Sequence, residues 1–260
     1  MKDPKDFALI TGGNKGIGEQ IAYKLAERNY NLLITGRDNE ALEQVQEKIK
    51  KHYGVEVVIK RVDLTVTQEY RDLVNFVLKE GFLLSVLVNN AGFGRIGAMS
   101  DMKQDEVADL MRVNSFMPVM LTYELLPLIK DSAPSYVLNV SSSAAFFPMP
   151  YFNTYASAKR FILNFSLGLK HEVRKDDIHV TCLCPGATET AFFNHPSLHQ
   201  FYKRSSALIA SPEKVADKGL KGMFKKKAIV TPGWVTKFQR FSAAILPEPL
   251  KARLAQRVVK

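Results

Sequence analysis

The sequence points to an α/β fold, a doubly wound parallel sheet of about seven strands with helices on both faces. Short apolar or β-branched runs alternate with longer amphipathic stretches from Phe7 to about Thr231, and a glycine cluster directly follows the first run. The composition, 46% hydrophobic and 24% charged, is that of a packed globular chain. Strand, helix, strand repeated this often implies parallel strands joined by right-handed crossovers. One such domain accommodates 260 residues, and with no Gly/Ser-rich linker, low-complexity run or internal repeat no boundary is placed within residues 1–260.

Each run is short enough for a buried strand: Phe7 to Thr11, Asn31 to Thr35, Glu56 to Arg61, Ser85 to Asn89, Ser135 to Ser141, His179 to Pro185 and Ala228 to Thr231. Between them Gly16 to Arg28, Asn39 to His52, Thr67 to Lys79, Met102 to Lys130 and Thr154 to Arg174 carry helical periodicity. Pro118 lies inside the fourth of these and should disturb it. In such sheets ligands sit outside the carboxyl ends of the strands, so the residues just after each run are the candidates for function.

No stretch is long and apolar enough for a membrane span, and MKDPKD leads into the first strand without the apolar region of a secretory signal. Cys182 and Cys184 point to one face of a strand and read as reduced core thiols. Together these place the chain in the cytoplasm. The five histidines form no metal-binding pattern: His195 and His199 are four apart, but Pro196 intervenes and no carboxylate is near.

The net charge is +10, yet from Lys221 to Lys260 ten basic residues face one acid, Glu248, so that segment carries +9 and the first 220 residues +1. A nearly neutral body with a basic tail is no general phosphate-binding surface, which argues against nucleic acid. Within residues 234–260, Phe238, Phe241 and Ile245, then Leu250, Leu254 and Val258 beyond the Pro247 and Pro249 break, suit two short amphipathic helices. They either fold back on the body or a second subunit, with their cations in water, or dock on an anionic membrane surface.

Thr11-Gly12-Gly13-Asn14-Lys15-Gly16-Ile17-Gly18 links the first strand to a helix. Glycines let the backbone approach a pyrophosphate, which free N–H groups and the positive helix end attract. The T-G-x-x-x-G-x-G spacing resembles the classical short-chain dehydrogenase/reductase family, whose members have a Rossmann fold. After the second strand comes Gly36-Arg37-Asp38. No carboxylate sits at the strand end itself, and Arg37 offers a planar fork for a 2′-phosphate, with Lys15 as a second cation, so NADP(H) is favoured over NAD(H). Asp38 is one register step from reaching the ribose. The resemblance further implies adenine contacts from Asp63-Leu64, where Asp63 could equally cap the next helix, and an Asn89-Asn90-Ala91-Gly92 segment with Asn89 near the adenosine ribose.

Tyr155 and Lys159 are four apart at the start of a helical stretch, one turn apart on one face. The lysine cation there, together with the positively charged nicotinamide ring of an oxidised cofactor, is expected to stabilise the phenolate and lower the tyrosine pKa from ~10. Ser142, thirteen residues earlier, and Asn114 complete the set that the resemblance makes catalytic, with Ser142 orienting a carbonyl and Asn114 holding a proton-relaying water. Ser141 and Ser143 should point away from Ser142. Pro185, Gly186, Thr188 and Thr190 then match the segment that holds the nicotinamide carboxamide.

The expected activity is NADP(H)-dependent interconversion of a carbonyl and an alcohol. Phe93, Ile96, Phe146, Phe147, Met149, Tyr151, Phe192 and Phe193 are the candidate substrate pocket, with the segment to Tyr202 as a lid. These side chains favour a lipophilic substrate. The rival reading is an NADP(H)-binding sensor or scaffold without turnover, although relatives of that kind typically lack the tyrosine or lysine present here. The resemblance also implies a homodimer or homotetramer built through the helices after the fourth and fifth strands.

Overall fold

The computed structural model describes residues 6–199 and 209–259. Seven strands form one parallel sheet: β1 (Asp6–Thr11), β2 (Asn31–Gly36), β3 (Val57–Arg61), β4 (Leu83–Asn89), β5 (Ser135–Val140), β6 (Ile178–Leu183) and β7 (Ile229–Val230). Their order is β3-β2-β1-β4-β5-β6-β7. It reverses direction between β1 and β4, and the crevice outside the strand ends at that reversal is where doubly wound folds place a ligand.

The helices are α1 (Gly16–Ala26), α2 (Asn39–Tyr53), α3 (Thr67–Glu80), α4 (Gln104–Met111), α5 (Met117–Asp131), α6 (Asn153–Glu172), α7 (Pro212–Phe224), α8 (Trp234–Ile245) and α9 (Glu248–Val259). Alternation along the strands divides the core. Ala8 and Ile10 of β1 face a cluster with Ile21 and Leu25 of α1, Leu42 and Ile49 of α2 and Leu220 of α7. Leu9 faces the opposite cluster, with Leu73 of α3 and Leu121 and Leu125 of α5. Burial on both faces is why these strands read as continuous apolar runs.

The expected Met102 to Lys130 helix is broken. Between α4 and α5, residues Arg112–Phe116 form a π-helical turn, and Pro118 enters the first turn of α5. A ring that cannot donate an N–H at residue 118 accounts for the widened turn just before it. Periodicity does not anticipate helix α7. It starts at Pro212 behind Ser211, whose hydroxyl accepts from Lys214 N.

The tail does form two helices, and their apolar stripes do not pack on the body of this chain, which leaves a second subunit or a membrane among the expected partners. Thr236 of α8 and Lys251, Ala255 and Val259 of α9 are the buried residues, whereas Trp234, Phe238, Phe241 and Ile245 are each more than 60% exposed. Leu250, Leu254 and Val258 are exposed as well. Cys182 and Cys184 are free and buried on one face, as strand alternation requires.

Candidate active site

A cavity of about 1520 Å³ opens at the strand ends, larger than the ~300–1,000 Å³ of an ordinary small-ligand site. The loops after β1, β2 and β3 line one side. The segment after β5, the start of α6, the loop after β6 and the C-terminal helices line the other.

The glycine turn is built for close approach. Gly12 and Gly16 have φ of +63° and +58°, a left-handed backbone that L side chains rarely adopt. Gly12, Asn14, Lys15, Gly16 and Ile17 border the cavity. Gly18 does not; a Cβ there would lie 2.3 Å from the Gly12 carbonyl oxygen and 2.4 Å from Asn90 Nδ2, so Gly18 acts by letting α1 seat against the turn. No side chain caps the start of α1, and its first N–H groups are left for an anion.

The resemblance places Asn89 beside the ribose, and the geometry corrects this. Asn89 is buried, its Nδ2 donating to Pro118 O, Thr122 Oγ1 and Asn139 Oδ1. Alternation gives the cleft to Asn90, whose Nδ2 donates to the carbonyls of Thr11 at 2.9 Å and Gly12 at 3.0 Å and ties the turn to β4.

At the rim, the Asp38 carboxylate accepts from Lys15 Nζ at 2.7 Å and from Ala41 N at 3.1 Å, capping α2. These two bonds hold it below its ordinary pKa, the lysine contributing most. Arg37 is mostly exposed, with Asp63 at 4.0 Å. Asp63 Oδ1 accepts from Thr65 N and Thr65 Oγ1 and closes the turn before α3, while Asp63 and Leu64 both border the cavity. Asp63 therefore does local structural work from a position at the cleft wall.

Four polar side chains converge at the other end. Tyr155 and Lys159 project from the first turns of α6, both buried. The Tyr155 ring stacks on Phe152 at 4.5 Å and meets Phe192 at 5.4 Å, and the Ser142 hydroxyl lies near enough to its phenol to lower its proton affinity. Ser142 Oγ accepts from Ala144 N at 3.1 Å, whereas Ser141 turns inward and donates to Lys159 O at 2.7 Å. Lys159 Nζ donates to Val140 O at 3.0 Å. Asn114 sits in the π-helical turn, its Nδ2 donating to Phe93 O and Leu110 O at 2.8 and 2.9 Å. A Cβ on Gly92 would lie 2.6 Å from Asn114 Oδ1 and 3.1 Å from Lys159 Nζ, so the missing side chain at residue 92 lets these two groups approach.

The expected lowering of the tyrosine pKa is reversed in the chain by itself. Burial pushes the Tyr155 phenol up to about 12, against the opposing pull of the nearby Ser142 hydroxyl. Burial likewise pushes the Lys159 amine down to about 8. Desolvation outweighs mutual attraction because the amine is directed at Val140 O, 5.7 Å from the centre of the tyrosine ring.

The short chain dehydrogenase family model matches residues 6–199. The chain belongs to that family. The very-long-chain 3-oxoacyl-CoA reductase of Pyrenophora tritici-repentis (strain Pt-1C-BFP) is 26% identical over 217 residues, 81% of this chain and 61% of the relative. This chain thus spans about six tenths of the length of the first curated relatives it matches, 61% and 60%. Among solved structures, a short-chain dehydrogenase from Sphingobium yanoikuyae in complex with NADPH superposes with a TM-score of 0.82 at 23% identity, over 92% of this chain and 93% of that one. A short-chain dehydrogenase/reductase from Burkholderia phymatum in complex with NAD gives 0.78 at 20% identity, over 88% and 90%. Both establish the fold.

Within this short-chain dehydrogenase, Pro185, Gly186, Thr188 and Thr190 border the cavity. Thr188 Oγ1 is occupied with Gly186 O at 3.0 Å, and Thr190 Oγ1 bonds Thr188 O and Phe192 N within the loop. Of the apolar candidates, Phe93, Phe147, Met149, Phe192 and Phe193 border the cavity. Phe146, Ile96 and Tyr151 do not: Phe146 packs with Leu163, Cys182 and Cys184, and Ile96 and Tyr151 pack behind the cleft wall. In a loop without regular periodicity, sequence gives no sign of which aromatic faces in. The proposed lid extends to Tyr202, and residues 200–208 lie outside the described residues.

Among the lining residues that sequence reasoning does not assign to the site are Asn90, Phe152, Phe238 of α8, and Leu254 and Val258 of α9. Only the first two have a local signal, lying one residue from Asn89 and three from Tyr155.

Proposed function

We propose that this short-chain dehydrogenase interconverts a carbonyl and an alcohol on a lipophilic substrate, using NADP(H). The observation that carries the reading is the convergence of Ser142, Tyr155 and Lys159, with Asn114 beside the lysine, at the end of the cavity lined by Phe93, Phe147, Met149, Phe192 and Phe193. A nicotinamide dinucleotide fits the chain's own residues: the uncapped start of α1 suits its pyrophosphate, and Gly12 and Gly16 leave the backbone bare beside it. Gly186, Thr188 and Thr190 are at hand for the carboxamide. When bound, the nicotinamide supplies or takes the hydride.

The remaining chemistry belongs to side chains. Ser142 Oγ orients the substrate oxygen. Tyr155, with its pKa up near 12, holds its proton at neutral pH, the form needed to donate to a carbonyl oxygen during reduction. Lys159, titrating near 8, can return a proton to that hydroxyl. Asn114 Oδ1 is buried and unpaired among the described residues, beside the lysine, and can accept from a proton-carrying water. In the oxidised state a bound nicotinamide ring would add positive charge beside Tyr155 and lower the phenol toward the working range.

NADP(H) is favoured because Lys15 and the α2 start already engage Asp38, leaving Arg37 exposed at the rim to meet a 2′-phosphate. The lipophilic substrate rests on the aromatic lining and agrees with the acyl chain in the fungal relative's name. Exposed Phe116 and Tyr123 on the α5 side and Phe161 on α6 support a homo-oligomer through those helices. The reduced, buried thiols support a cytoplasmic setting.

The test follows NADPH absorbance against a panel of hydrophobic ketones and aldehydes, with NADH in parallel. Turnover with NADPH is expected. Binding of NADPH with silence across the panel, in both directions, would instead support the sensor or scaffold reading.

A further inference from the structure

Helices α8 and α9 carry their apolar residues on the wrong side for a core. Trp234, Phe238, Phe241 and Ile245 recur at four, three and four residues, a single stripe along α8, and are 76%, 64%, 64% and 66% exposed. On α9, Leu250, Leu254 and Val258 form a second stripe, 41%, 40% and 54% exposed. The two converge, because Phe238, Leu254 and Val258 border the same cavity mouth. Beside the stripes stand Lys237 and Arg240 on α8 and Arg253 and Arg257 on α9, all exposed and none in a salt bridge among the described residues. The acid of this region, Glu248, is already paired with Lys251 at 2.7 Å.

We propose that this face is a docking surface for an anionic lipid bilayer, lying flat on it with the mouth of the active-site cavity against the membrane. Charge selects the occupant. A second copy of the same face would oppose two segments that each carry +5 over residues 234–260, whereas anionic headgroups neutralise them. A nucleic acid would meet the cations but strand the aliphatic residues Ile245, Leu250, Leu254 and Val258 in water. The aromatic and aliphatic stripe with cations on its flank matches the interfacial region, where apolar side chains enter the acyl boundary and Lys and Arg reach headgroups. No helix among the described residues is long and apolar enough to cross the bilayer, so the contact is peripheral. A lipophilic substrate would then pass from membrane to cavity over Phe238, Leu254 and Val258. That last step rests on the proposed activity; the docking does not.

Trp234 is the chain's single tryptophan and lies on the face, so its fluorescence reports docking without turnover. With vesicles of phosphatidylcholine containing one third phosphatidylglycerol, we expect a blue-shifted emission and protection from aqueous quencher. Apparent affinity should be about ten-fold or more above that for pure phosphatidylcholine and should weaken as salt is raised. Lys237→Glu with Arg240→Glu should remove the anionic preference, and Phe241→Ser with Ile245→Ser should remove binding, both with melting temperatures near wild type, since all four side chains are exposed. The proposal is overturned by unchanged Trp234 emission on both vesicle types, by equal binding to both, or by light scattering that shows a dimer with Trp234 already shielded before vesicles are added. Normal turnover of a soluble carbonyl compound without vesicle binding would sink the docking and leave the activity intact.

Discussion

The glycine turn after β1 and the helical pair α8–α9 border the same cavity, yet they are built on opposite principles. The turn presents backbone: left-handed glycines, an uncapped helix start, and a contact at Gly18 too close for any Cβ. The helical pair presents side chains, large and apolar, held by little buried surface beyond Thr236, Ala255, Val259 and the Lys251 stem. A dinucleotide has fixed geometry and is met by a fixed surface. The lipophilic substrate proposed above would be variable, and its side of the cavity is lined by side chains that can repack. Between these two walls stands the proposed catalytic cluster.

The contrast is sharpest where chemistry alone should change. Tyr155→Phe removes the proton at Oη and leaves both walls intact, so kcat should fall by roughly 10³-fold with NADPH affinity unchanged in a fluorescence titration. Substantial residual turnover would remove Tyr155 from its role.

If the turn is as rigid as its packing indicates, Gly18→Ala should cost cofactor affinity about 100-fold. The new Cβ would meet backbone at 2.3 Å, which cannot relax as a side-chain tip can. Calorimetric binding of NADPH together with a melting curve separates lost affinity from lost fold.

Lys159 offers a pH-dependent test of the cluster between the walls. Burial lowers its amine from 10.5 to about 8, a cost to the fold of roughly 3 kcal/mol. Below pH 8 the amine is charged in both folded and unfolded chains, and the cost is felt in full. Between pH 8 and 10.5 the folded amine is neutral while the unfolded one keeps its proton, so the cost is relieved as pH rises. Lys159→Met should therefore melt higher than wild type at pH 7, with an advantage that narrows from pH 8 toward 10.5, and should lose activity throughout.

Arg37→Ala should raise KM for NADPH about ten-fold and leave NADH nearly unaffected, since the rim keeps Asp38 in place through Lys15 and Ala41. An equal loss with both cofactors would mean Arg37 meets no 2′-phosphate. The smallest effect is expected at the adaptable wall: Leu254→Ser should change kcat/KM a few-fold for long-chain carbonyls and hardly at all for short ones. A large effect on short substrates would show that α9 is as rigid as the turn.

The locally encoded parts of the molecule are legible in the amino-acid order itself. Strand runs, the glycine turn and the four-residue spacing of Tyr155 and Lys159 are all statements about neighbours along the chain, and backbone geometry converts them directly into position. The same reasoning fails for Asn89, because one residue of register decides whether a side chain meets the cleft or, as here, Thr122 and Asn139. It fails for Phe146, Ile96 and Tyr151, which lie in or beside loops with no period to assign an inward face. It misjudges the tyrosine pKa because spacing reveals that a cation is close and says nothing of how completely water is excluded around both groups.

Sequence alone determined the doubly wound parallel sheet and its strands, since these follow from hydrophobic period and turn chemistry, while the family resemblance of its motifs named the polar groups at the cavity. Tertiary structure decided the side of the sheet edge each loop residue faces, the proton affinities of the buried pair, and the outward turn of the C-terminal apolar stripes. Those properties depend on contacts between segments far apart in the chain, which no local pattern contains.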